Sequence, residues 1–422
     1  MGIFAERESD IRAYCRLYPV VFDKADNARQ TDESGKEYID FFAGAGVLNF
    51  GHNNPRMTSA MIAYMQSKGV LHTLDMHSVP KRAFIEKFVE TILKPRQMPH
   101  KLQFMGPTGT NAVEAAMKLA RRVTGRRDVV AFSHGFHGMT LGSLAATANA
   151  YFRGAAGVPL NHVRHFPFGC DKPCMGCALG CGNTSLENMR AVFEDSASGL
   201  QAPAAFMVET VQAEGGVNVA DTAWLQGLAQ LAKDLGSLLI IDDIQVGMGR
   251  CGSFFSFDDL GLEPDIVCLA KGIGGSGTPM AMNLVKPEYD SQWSPGEHTG
   301  TFRGQSLSFV AGKEALTYFD DDSLMKEVKL KSDTLFSALA DLAELPGVQV
   351  RGRGMILGLD CGEGGRAAEI VKRCFAEGLL IASCGIGGRV VKLIPPLTIP
   401  NSDLHAGLDI LVRAAKNVLE AA

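Results

Sequence analysis

Short apolar runs alternate with longer amphipathic stretches through the middle of the chain. Leu102–Met105, Asp128–Phe132, Ala204–Glu209, Leu238–Asp242, Ile266–Ala270 and Met280–Val285 are rich in aliphatic and aromatic residues and show little apolar/polar alternation. Unbroken runs of this kind are expected of strands covered on both faces. Between them the apolar positions take a helical spacing. In Asn111–Val123, the residues Val113, Met117, Ala120 and Val123 share one face, and Ala223–Leu235 has the same pattern. Strands alternating with helices predict a mostly parallel sheet. The N-terminal stretch MGIFAERESDIRAYCRLYP reads as helical, and Asp32-Glu33-Ser34-Gly35-Lys36 as the turn of a strand hairpin. Past residue 310 the pattern predicts a long amphipathic helix and the strands Val348–Arg351, Met355–Asp360 and Val390–Leu393. The predicted organisation is an N-terminal segment, 1–52, that forms part of a small domain, a large α/β domain over 53–309, and a small α+β domain over 310–422.

Composition narrows the function classes more than the fold. The 422 residues are 46% hydrophobic and 21% charged with a net charge of −5, which leaves no basic footprint for nucleic acid. No run approaches the ~18 consecutive apolar residues of a membrane span, and the N-terminal stretch lacks a signal core, so a cytoplasmic protein with small-molecule partners is expected. Ten cysteines are then expected to be reduced. Four of them, Cys170, Cys174, Cys177 and Cys181, crowd into a Gly- and Pro-rich insertion. Such spacings can suit a zinc or iron–sulfur site, but four ligands within twelve residues strain a tetrahedral knot, and a surface or interface loop of free thiols is the plainer reading; no metal is assigned.

Candidate chemistry gathers where the strands end. Ligands of open parallel sheets bind outside the carboxyl ends of the strands. Asp242 closes one apolar run and Lys271 follows another. An amine and an acid delivered to one sheet edge suit pyridoxal 5′-phosphate, whose aldehyde needs a lysine and whose ring nitrogen needs an anion. Thr108, Gly109 and Thr110 lie between a strand and a helix, where free N–H groups favour a phosphate, although plain helix capping is the duller alternative. Phe136 and His137 follow the strand Asp128–Phe132, so Phe136 can stack on a ring or simply fill the core. Glu209 brings a third acid to this edge, or a solvated strand end. Asp242 could instead pair with an arginine such as Arg250.

In that order these residues resemble the class III, or omega, aminotransferases of the fold-type I pyridoxal phosphate enzymes. The resemblance covers nearly the whole chain, and LLIIDDIQVGMGRCG and LAKGIGGSGTPM are its most specific pieces. It implies a large domain with a mostly parallel sheet plus a small α+β domain. Lys271 would carry the cofactor, Asp242 would meet its ring nitrogen, Gln245 would lie on the phenolic oxygen side, and Ile244 and Phe136 would pack on the ring faces, with His137 beside them. Gly109 and Thr110 would hold the phosphate, joined by Thr301 from a neighbouring subunit, so that a homodimer or a dimer of dimers is implied. Glu209 resembles the glutamate that gates substrate carboxylates by pairing with an arginine. This chain has Lys392 in the corresponding VVKLIPPL stretch, and Met139 where a carboxylate-binding arginine is found elsewhere. GAGVLNFGHNNP, GFHGMTLGSLA and WSPGEHTGTFRG are similar to the diaminobutyrate–2-oxoglutarate subgroup. The implied reaction exchanges an amino group between glutamate and a terminal aldehyde, with Lys392 next to Glu209 as carboxylate partner. Another omega-aminotransferase acting on an ornithine- or 4-aminobutyrate-like substrate, an aminomutase on the same scaffold, and a noncatalytic assembly protein are the rival expectations.

Overall fold

Continuous burial shapes the central sheet. The structure, a computed structural model, describes residues 2–169 and 184–420. Seven strands form the sheet: β1 (Lys101–Phe104), β2 (Val129–Phe132), β3 (Val163–Phe166), β4 (Ala205–Val208), β5 (Leu238–Asp242), β6 (Ile266–Leu269) and β7 (Met282–Val285). Every residue of β2, β4, β5, β6 and β7 is buried, as expected where helices cover both faces. Their spatial order is β1-β7-β6-β5-β4-β2-β3. Neighbours from β6 through β3 run parallel, whereas β7 is antiparallel to both β6 and β1.

Two features of this sheet differ from the sequence expectation. The strand β3, VRHF, was not anticipated because it lies at the sheet edge and keeps only partial burial, so it lacks a continuous apolar signature. The direction of β7 was not legible either. Residues 270–281 must join it to β6, a span at the lower limit for a helical crossover but ample for an antiparallel return.

Helix α1 (Gly109–Thr124) starts just beyond β1 and presents Ala112, Val113, Ala115, Ala116, Met117, Leu119 and Ala120 to the core. Small side chains on that face let the helix lie close to the strands. It ends at Gly125 in the left-handed region, φ 67°, a common stop. On the other face Trp224, from the helix Thr222–Asp234, meets Phe132 edge-on at 5.0 Å.

The two ends of the chain meet. Strands Phe22–Asp26, Arg29–Asp32 and Glu37–Asp40 form an antiparallel meander, and Leu379–Leu380 pairs in parallel with the third of them. Asp32 Oδ1 accepts from Ser34 N and Lys36 N at 2.9 and 3.0 Å and so fixes the predicted turn. The N-terminal stretch forms two short helices, Gly2–Arg7 and Tyr14–Leu17, rather than one. A second antiparallel sheet has Gln349–Arg353, Ile356–Asp360, Val390–Leu393 and Ala382–Cys384 side by side, and Lys392 lies opposite Gly358. The long helix Ser323–Ala343 packs on it. No helix among the described residues is long and apolar enough to cross a membrane.

Candidate active site

The carboxyl ends of the parallel strands open onto a cavity of about 380 Å³. Thr108, Gly109, Thr110, Phe136, His137, Glu209, Asp242, Ile244, Gln245 and Lys271 all line it. Lys271 follows β6 after a single extended residue and takes φ 52°. A lysine in that region is strained by ~1–3 kcal/mol, a cost that surrounding structure must impose. Burial pushes its amine down to about 8, with Lys392 pushing the same way and Glu214 opposing. A fraction of the amine is therefore neutral, and nucleophilic, near neutral pH.

Asp242 is 4% exposed and does not meet Arg250. Its Oδ2 lies 2.7 Å from His137 Nδ1, and its Oδ1 accepts from Ile244 N at 3.2 Å. Arg250 instead donates to the carbonyl of Met355 at 3.0 Å and to Asn49 Oδ1 at 2.7 Å. Burial would lower the His137 imidazole, but the hydrogen bond and charge of Asp242 outweigh it, and the net direction is upward. Glu209 Oε2 accepts from Phe136 N at 3.0 Å. Burial first, and then the Asp242 charge, pushes this carboxyl up to about 8 against the pull of His137, so it is largely protonated at neutral pH.

One sequence expectation is corrected here. Lys392, 2% exposed, is hydrogen-bonded to Glu214 and not to Glu209. Gln245 ties the two together: its Nε2 donates to Glu214 Oε1 at 3.1 Å while its Oε1 accepts from Lys392 Nζ at 3.2 Å. Burial disfavours the carboxylate of Glu214, yet the Lys392 and Lys271 charges draw it below the ordinary range, and Lys392 is correspondingly raised. Both acids belong to the VETVQAEGG stretch. Glu209 stays at the end of β4, whereas the short hairpin Val211–Gln212 with Asn218–Val219 carries Glu214 away to the lysine. A buried lysine in a strand demands a paired acid, and that demand was the available signal for Glu214.

The cavity suits a phosphorylated ring aldehyde. First-turn N–H groups of α1, those of Gly109 and Thr110, have no intrahelical acceptor. Gly109 leaves room that no other residue would, since a Cβ there would come 3.0 Å from Ile244 Cδ1. The Thr110 hydroxyl is bonded to Thr140 and Ser143, which fixes its position. Phe136 is half-buried and meets Phe152 edge-on at 5.6 Å. Thr301 is exposed and does not line this cavity; its carbonyl meets His72 Nε2 at 2.8 Å. Among the described residues no cluster of His, Cys, Asp and Glu could hold a metal. Cys170, Cys174, Cys177 and Cys181 lie outside the described residues.

Residues 12–415 match the family model described as aminotransferase class-III. Over its whole length the chain is 46% identical to a diaminobutyrate–2-oxoglutarate transaminase of Halalkalibacterium halodurans and covers 97% of it. It is 49% identical, over 99% of its length, to the protein of the same name from Wolinella succinogenes, again covering 97% of that protein. Among solved structures, the ornithine aminotransferase of Toxoplasma gondii superposes with a TM-score of 0.85 at 24% identity, over 100% of this chain and 95% of that one. The N-acetylornithine aminotransferase of Stenotrophomonas maltophilia gives a TM-score of 0.75 at 26% identity, over 97% and 99%.

Proposed function

Because the chain belongs to the class III aminotransferases, enzymes that work with pyridoxal 5′-phosphate, we propose that it moves an amino group between glutamate/2-oxoglutarate and L-2,4-diaminobutyrate/aspartate 4-semialdehyde. The observation that carries the substrate reading is the Lys392–Gln245–Glu214 network beside Lys271, in which Glu214 and Gln245 line the cavity and Lys392 lies buried against them. It offers an acid to a cationic substrate and a cation to an anionic one, as a reaction alternating between a diamino acid and a dicarboxylate requires. The full-length relatives of that name support the same choice.

When bound, the cofactor supplies an aldehyde to take up the amino group and a ring that withdraws electrons from the carbon losing its proton. The chain supplies the rest. Lys271 Nζ, brought down to about 8, would hold the cofactor through its aldehyde and, as a neutral amine, would accept and return the substrate's proton. Asp242, steadied by His137, presents the negative charge that keeps a ring nitrogen protonated. Thr108, Gly109 and Thr110 would hold the phosphate through N–H and hydroxyl groups, and Phe136 and Ile244, which line the same cavity, would pack against the ring and exclude water. Lys392 meets a substrate carboxylate, and Glu209, largely neutral, completes the wall without repelling it. We further infer a cytoplasmic homodimer in which Thr301 of one subunit completes the phosphate site of the other.

A panel of amines, scored by the absorbance change as the amino group passes to the cofactor, tests the substrate. L-2,4-Diaminobutyrate is expected to give the fastest half-reaction and glutamate to reverse it. A faster response to ornithine or 4-aminobutyrate, with none to diaminobutyrate, would overturn the substrate and leave the reaction type standing.

A further inference from the structure

Ahead of the site, the chain adopts an uncommon backbone. Ala43, Gly44, Ala45 and Gly46 lie successively in the left-handed region, with φ of 47°, 58°, 58° and 86°. Glycine accepts this freely, but alanine sets its Cβ against its own carbonyl. Such outliers persist where their surroundings over-determine them, and they mark functional segments. Here the surroundings are visible. Asp40, fully buried, accepts at Oδ1 from the N–H groups of Phe42 and Ala43 at 2.8 and 2.7 Å. Its Oδ2 is held by His52 Nε2 at 2.9 Å and by Gln30 Nε2 at 3.0 Å. At the far end of the segment, a Cβ on Gly46 would come 3.0 Å from Ile394 Cδ1 and 3.4 Å from Gln245 Cγ.

This latch delivers the Ala45 carbonyl to Gln245 Nε2, at 2.8 Å. The same amide nitrogen donates to Glu214, and the amide oxygen accepts from Lys392. Gln245 is thus the joint between a strained segment and the polar wall of the cavity. Its engagement matters when a carboxylate draws Lys392 away. Glu214 would then be left bare in a half-buried wall, a costly state, unless a second donor stays on its oxygen. Gln245 is that donor, provided its amide is held in place.

We propose that the left-handed segment Ala43–Gly46, latched by Asp40, is a positioning element for recognition of the dicarboxylate substrate: by fixing Gln245 it lets the Lys392–Glu214 pair open. The inference rests on the reading of Lys392 as the carboxylate-binding residue. An amine substrate meets Glu214 without asking for that exchange, so the segment governs one substrate and not the other.

The test uses the cofactor-loaded enzyme and glutarate, an unreactive dicarboxylate, titrated by calorimetry beside steady-state kinetics with both substrates. Asp40→Ala cuts the latch and Asp40→Asn weakens it at nearly the same size, whereas Ala45→Gly, which adopts the left-handed backbone at no steric cost, serves as the control that keeps the segment in place. Asp40→Ala is expected to weaken glutarate binding and raise the KM for 2-oxoglutarate by about 5-fold, with kcat/KM for the amine within about twofold, and Ala45→Gly is expected to change neither. Asp40→Asn is expected to act in the same direction and, where Asp40→Ala fails to fold, decides. Equal losses for both substrates, or unchanged glutarate binding in the Asp40 variants while Lys392→Met loses it, would overturn the proposal. Glutarate binding that survives Lys392→Met would instead sink the reading of Lys392 on which it rests.

Discussion

Two lysines lie close enough to influence each other, Lys271 in the lining of the cavity and Lys392 buried outside that lining, and they are driven in opposite directions. Lys271 is pushed down to about 8, by burial first and by Lys392 beyond it, whereas Lys392 is raised because Glu214 more than offsets its burial. One side chain is thereby an amine that can lose its proton, and the other a lasting cation. In enzyme stripped of cofactor, covalent recapture of pyridoxal phosphate should rise with pH through about 8, since the neutral amine is the nucleophile and forms above its pKa. Stopped-flow absorbance across pH 6–10 reads the midpoint; one near 10.5, the ordinary lysine value, would contradict this environment. Lys392→Met strands Glu214 and should cost about 3 kcal/mol in urea unfolding. Adding Glu214→Gln should recover most of that stability while 2-oxoglutarate recognition stays lost. At this scale the sequence was legible wherever a charge ended an apolar run, as at Asp242 and Lys271. Glu214 escaped because it sits in a glycine-rich bend, where an acid is unremarkable, and only the tertiary fold brings the burial of Lys392 to bear on it.

Elements position these groups through their ends. Helix α1 sets its first turn against the cavity, and the chain from β2 returns beside it at Gly138, φ 130°, where an added Cβ would fall 2.5 Å from Thr110 Oγ1. Gly138→Ala should therefore displace Thr110 and weaken cofactor binding by about tenfold, roughly the 1.4 kcal/mol of one good hydrogen bond, and, because alanine is strained at that φ, should also lower the unfolding midpoint of the cofactor-free protein. Equilibrium dialysis of the cofactor measures it. Buried strands announced themselves in the sequence because burial on two faces removes polar residues. The edge strand β3 keeps Arg164 exposed and was silent for the same reason. Strand direction has no compositional signature at all, so the reversal at β7 was beyond pattern reading.

At the scale of the whole molecule, one surface is unlike the rest. Val70, Leu71, Leu74, Met76, Val79 and Phe302 are all exposed, the last by 60%. Two segments contribute them and are tied together: Ser306 N donates to the Leu71 carbonyl at 3.2 Å, and His72 meets the Phe302 ring at 5.3 Å. Exposed apolar side chains on two linked segments, one of them next to Thr301, fit the proposed subunit contact. Leu74→Asp is expected to shift sedimentation from twice the 45.2 kDa chain mass to the single chain, and to release cofactor with it. A variant that stays dimeric would place the contact elsewhere.

The reversal at β7 also bears on how this scaffold tolerates change in length. Leu269 is paired directly with Met282, so the segment that bears the reactive amine is pinned at both feet by adjacent strands. Inserting or deleting a residue there would drag the amine out of register. The parallel crossovers join strands that are not each other's immediate antiparallel return, so their length is less tightly set. Novelty in this chain can therefore accumulate along its long connections, while the tether of its nucleophile keeps a fixed length.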